Sequence, residues 1–152
     1  MTGHELFAMA HAGIGLISIF LMFLALIELL HLSPNNIKRL RRESVAILIF
    51  TLLTFIVASW VYIYFYSADK AVILLGEWSW AHTFFMETKE HGFFILLLLA
   101  IYFPILVYKL PLLENRSSRN LALGVLLTMI ALGFFMEVAG GIISMAIRLG
   151  LT

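Results

Sequence analysis

Cysteine is absent from this 152-residue chain. With it go disulfides, thiolate zinc sites, iron–sulfur clusters and covalently attached c-type haem. Charge is scarce as well: Asp, Glu, Lys and Arg make up 12% of the residues, and 10 basic against 9 acidic side chains leave a formal net charge of +1. So little charge assembles neither a basic surface for nucleic acid nor an acidic, solvated tail. Glycine-rich phosphate loops and nucleophile elbows have no candidates. With only 3 prolines, little interrupts long helices.

What remains is apolar. The chain is 62% hydrophobic with a mean hydropathy of +1.03, outside the range of soluble domains. Crossing about 30 Å of hydrocarbon takes roughly 20 apolar residues in a helix, and runs of that kind occupy residues 6–32, 44–66, 92–110 and 120–147. Backbone amides inside a bilayer must be satisfied within their own segment, and these runs are too continuous for barrel strands, so each is expected to be helical. The whole chain, 1–152, is predicted to be a single integral membrane domain of all-α class, a four-helix up-down bundle in contact with lipid. The first run lacks a basic leader and a small-residue cleavage site, and Glu28 and His31 stand near its end. It reads as a retained span rather than a signal peptide.

Basic residues orient the bundle. Lys38, Arg39, Arg41 and Arg42 follow the turn Ser33-Pro34-Asn35-Asn36, and Lys109, Arg116 and Arg119 flank the second short connection, so these two connections hold seven of the 10 basic side chains. By the positive-inside rule both connections are cytoplasmic and both termini are extracytoplasmic, which suggests a prokaryotic inner membrane. Residues 67–90 then face outward with Trp78 and Trp80, completing an aromatic belt with Tyr62, Tyr64 and Tyr66. Residues 71–75 of that segment are expected in the interface, and Ser79 is expected to cap a helix that runs unbroken into the third span.

Ionisable groups within spans are costly and therefore candidates for function. Counted from the cytoplasmic helix ends, His91 and Glu137 both lie roughly 26–27 Å up, and His11 about one turn higher. His4 and His82 form a second layer nearer the surface, at about 40 Å. His4, His11, Gly15, Ser18, Met22 and Ala25 share one helical face, while Gly133, Glu137, Gly140, Gly141, Ser144 and Arg148 share another. Small residues of this kind allow close helix packing. They also leave room for a flat macrocycle, and two opposed imidazoles suit the axial positions of a six-coordinate haem iron.

His11 in its small-residue stretch and His91 at the outer start of the third span resemble the ligand arrangement of small four-helix membrane-anchored b-type cytochromes. The resemblance implies a membrane electron-transfer subunit carrying haem b on His11 and His91, with His4 and His82 for a second haem. Electrons would pass between quinol and an extracytoplasmic cytochrome, within a complex of other membrane subunits. Arg148 and Lys89, near the outer rim, would meet haem propionates. Three other readings use the same residues. Glu87, His91, His11 and Glu137 form a nitrogen and oxygen donor set for a non-haem metal ion; Glu137, Glu28 and the histidines form a proton or ion path; and the histidines suit the magnesium of chlorophyll. The plainest alternative is an accessory subunit that only packs against larger partners.

Overall fold

The computed structural model describes residues 3–151, with side chains from Leu6 onward. Five α-helices follow one another: α1 (Gly3–Leu30), α2 (Ile37–Tyr64), α3 (Tyr66–Leu75), α4 (Glu87–Lys109) and α5 (Arg116–Gly150). A π-helical stretch, Ala81–Met86, leads without a break into α4. No strand occurs among the described residues. Four helices are long and apolar enough to cross a membrane, at Leu6–Leu30, Ile37–Tyr64, Ala81–Lys109 and Arg116–Gly150. The expected spans are therefore present, each longer than the apolar run that announced it except the first.

Local chemistry sets the helix ends. Asn36 closes the α1–α2 turn by accepting from the Ser33 amide at 2.7 Å and donating to the Glu28 and His31 carbonyls at 3.2 and 3.0 Å. Asn115 caps α5, its side-chain oxygen accepting from the amides of Ser117 and Ser118. Ser79, expected as a side-chain cap, instead supplies its backbone carbonyl to the amides of His82 and Thr83. That short stretch is where the helix is wound as a π-helix.

Around the bundle α1 packs on α2 and α5, and α4 packs on the same two, so α1 and α4 are diagonal. Contacts pair Phe7 with Trp60, His11 with Thr54 and Glu28 with Arg39 between α1 and α2. Between α2 and α4 they pair Phe55 with Phe93 and Arg41 with Tyr108.

The core is divided. Met22, Ala25, Leu29, Leu40, Ile47, Ala100, Phe103, Val107, Leu126 and Met129 are buried in one apolar cluster toward the α1–α2 turn. A smaller cluster at the other end gathers Tyr66, Ile73, Ala81, Ile143 and Ala146, joining α3 and the π-helical stretch to the end of α5. Outward-facing Phe20, Ile56, Ile63, Leu98 and Val138 are all more than half exposed. That is an apolar exterior a membrane would cover.

Candidate functional site

Between the two clusters all four spans contribute to one cavity of about 30 Å³, lined among others by His11, Ser18, Thr51, Thr54, Lys89 and Glu137. A void of this size holds about one water molecule. Three ionisable side chains from three helices thus line one small pocket, with apolar packing on either side.

Each side chain arrives for a local reason. Helix α1 presents His11, Gly15, Ser18, Met22, Ala25 and Leu29 at spacings of three and four, a single inward stripe. This face was expected from the sequence, and the structure places its upper end in the pocket. The Nδ1–H of His11 donates to the Thr54 carbonyl at 3.3 Å, which leaves Nε2 as the basic nitrogen. The Ser18 and Thr51 hydroxyls bond each other at 2.9 Å, and the Thr54 hydroxyl donates to the Phe50 carbonyl at 2.8 Å.

Two glycines make the space. A Cβ added to Gly15 would lie 2.5 Å from the Oε1 of Glu137, so the carboxylate occupies the room a side chain on α1 would take. Likewise a Cβ on Gly140 would lie 2.9 Å from the Nζ of Lys89. Lys89 is within electrostatic reach of both His11 and Glu137. Among the described residues no direct ion pair joins it to Glu137. The two charges face a shared void without closing on each other.

Lys89 was expected at the outer rim, but the structure turns it into the bundle. It starts the stripe Lys89, Phe93, Leu96, Ala100, Phe103 and Val107, which lines the pocket above and the apolar core below. His91 stands two residues on, about 200° around the helix. It is exposed, and its Nδ1–H donates to the Glu87 carbonyl at 2.7 Å. Glu87 is exposed too. The pocket therefore brings together His11 and Glu137 and leaves out His91 and Glu87. On α5 the inward positions are Gly133, Met136, Glu137 and Gly140, whereas Gly141, Ser144 and Arg148 are exposed.

The outer histidine layer divides as well. The side chain of His4 lies outside the described residues. His82 is 6% exposed, and its Nδ1 is 2.7 Å from the hydroxyl of Tyr66. Burial pushes the Tyr66 phenol well above its ordinary pKa, and Glu90, Tyr62, Asp69 and Glu87 add to the effect. The phenol keeps its proton, and its hydrogen bond with His82 ties α3 to the π-helical stretch. His31 is exposed and donates to the Ile27 carbonyl. Glu28, the other membrane carboxylate, pairs directly with Arg39.

The donor set can be tested against the expected cofactors. Pockets for flat organic molecules run to roughly 300–1,000 Å³, whereas the space beside His11 is about 30 Å³ and is bounded by Phe93, Leu96 and Met136. A macrocycle spanning His11 and His91 does not fit this packing. For a non-haem ion, no three His, Asp or Glu side chains among the described residues stand close enough to share one. What the pocket can do with the groups it has is hold a water and exchange protons among an imidazole, an ammonium and a carboxylate.

Compared with family models, with curated proteins and with solved structures, the chain finds no match in any of the three.

Proposed function

We propose that this protein is an integral membrane subunit that takes up and releases protons at His11 and Glu137, beside the Lys89 ammonium, on behalf of a larger membrane complex. The observation that carries the reading is the convergence of these three side chains, from three different helices, on one water-sized cavity. Burying ionisable groups in a span costs several kcal/mol each unless they are paired or hydrated. Packing alone would be better served by apolar residues at these positions. Steady conduction through this chain is not part of the reading, because the half of the bundle beyond Met22 is a closed apolar core.

The proposed arrangement is an up-down bundle in a prokaryotic inner membrane, with both termini extracytoplasmic. Support comes from the contact register, in which residue numbers rise on one helix as they fall on its neighbour: Gly15 meets Glu137 while Ile19 meets Gly133. Further support comes from the seven basic residues around the α1–α2 and α4–α5 connections. The pocket then lies in the extracytoplasmic half, and protons would exchange with that side. An electron-transfer role for a haem on His11 and His91 would require the helices around Phe93 and Met136 to part.

Infrared titration of the protein in lipid bilayers tests the reading, with Glu137→Gln as the blank that isolates one carboxyl. A Glu137 carbonyl band that appears and disappears between pH 4 and 10, roughly the range an environment-shifted carboxyl can reach, is the expected result. A Glu137 signal constant across that range would overturn the assignment.

A further inference from the structure

Resting on the proton-exchange reading, the pocket also carries an inference about which cations it refuses. Its oxygen donors are those a hard metal cation favours: the Glu137 carboxylate and the Ser18 and Thr51 hydroxyls. One of the two hydroxyls donates to the other, and both keep lone-pair capacity. The cavity, at about 30 Å³, is large enough for a dehydrated monovalent ion as well as for water. By donor type and size alone this would be a sodium-like site.

One residue changes that. The Lys89 ammonium enters from α4 and lies against Gly140, one turn along α5 from Glu137, in the room left by the missing side chain of Gly140. It supplies one positive charge to a pocket with one carboxylate, and no other acidic side chain lines the cavity. A second cation entering would meet the ammonium with no further negative charge to offset it, in surroundings that screen poorly. A proton differs, because it joins Glu137 or His11 covalently and needs no coordination shell.

We propose that Lys89 is a tethered counter-cation: its ammonium, facing the same void as Glu137, supplies the positive charge that a metal ion would otherwise bring, and so makes the site exchange protons while excluding sodium-like ions. Its role is to set specificity, since the proton is held by Glu137 or His11.

The test is thermal unfolding of the purified full-length protein against rising sodium chloride, with ionic strength held constant by choline chloride. Wild type should show no sodium-specific change in Tm. Lys89→Met removes the charge while keeping the apolar stem, and should gain a saturable rise on the order of 5–10 °C at sodium well above its dissociation constant. The double variant Lys89→Met with Glu137→Gln should lose that rise. A Lys89→Met protein that folds but ignores sodium overturns the inference. If Lys89→Met does not fold, the wild-type infrared titration of Glu137 decides: a band position unchanged by sodium supports exclusion, and a titration displaced by sodium overturns it. Failure of the proton reading is a separate outcome, since it would appear as a Glu137 carboxyl that does not titrate in wild type at any sodium concentration.

Discussion

The two halves of the bundle each contain a carboxylate and a cation, and they use them differently. Toward the α1–α2 turn, Glu28 is 6% exposed and bonds directly to Arg39, which also approaches Glu43 at 4.0 Å. Around that pair the core is closed and apolar, with Leu29, Leu40 and Phe103 fully buried. Toward the chain ends, Glu137 and Lys89 share a void with His11 and do not touch. A carboxylate and a cation are thus paired in one half and held apart in the other. An ion pair that closes on itself holds a fold together; one that stays apart around a water-sized space retains groups free to change protonation.

Breaking the closed pair should give the largest loss of stability. Arg39→Ala leaves the Glu28 carboxylate buried without its partner. The guanidinium side chain is 59% exposed, so the pair itself is worth less than a fully buried one, and most of the cost comes from the stranded carboxylate. A loss of about 1–3 kcal/mol is expected in thermal unfolding, and Glu28→Gln in the same background should recover part of it. The Glu137 carboxyl titration should be unchanged. Coupling between the two would mean that the halves are not independent.

A smaller effect on stability, but a direct effect on the pocket, is expected at Gly15. The added methyl of Gly15→Ala crowds the end of the Glu137 side chain, which can swing away, and makes ordinary contact with the Thr54 methyl. Unfolding should therefore change by no more than about 1 kcal/mol, at the low end of the cost of overpacking. The displaced carboxylate should nevertheless show a shifted infrared band and a shifted titration midpoint. Loss of folding with an unmoved Glu137 signal would mark Gly15 as a packing residue alone.

Much of this architecture was legible in the sequence because a bilayer enforces it. Apolar runs of span length have one available structure, and the stripe from His11 through Gly15 and Ser18 to Ala25 follows directly from helical periodicity. Glu28, grouped in the sequence with Glu137 as part of a proton or ion path, instead pairs with Arg39 of the neighbouring basic segment. Depth along the membrane was read correctly enough to put His11 and Glu137 in one layer. Azimuth on α4 was not. His91 attracted attention as a histidine, yet Lys89 sits on the stripe that continues through Phe93, Leu96, Ala100 and Phe103, and that stripe was visible in the sequence. The hydroxyls of Thr51 and Thr54 carried weaker signals, because threonine is common in spans and only the opposing Ser18 and His11 give them a role. The π-helical stretch and the Tyr66–His82 bond were beyond reach, depending as they do on how α3 folds back on the end of α5.

Water-edited NMR on protein labelled with ¹⁵N at the lysine Nζ positions, in lipid bilayers, tests the central claim most directly. Lys38, Lys70, Lys89 and Lys109 are the lysines of the chain, and the Lys89 resonance is assigned by its loss in Lys89→Met. The account predicts a Lys89 ammonium that receives magnetisation from water despite its place inside a span, and whose resonance moves in Glu137→Gln but not in Arg39→Ala. A Lys89 signal with no water contact and no response to Glu137→Gln would contradict the shared, hydrated pocket on which the proposed function rests.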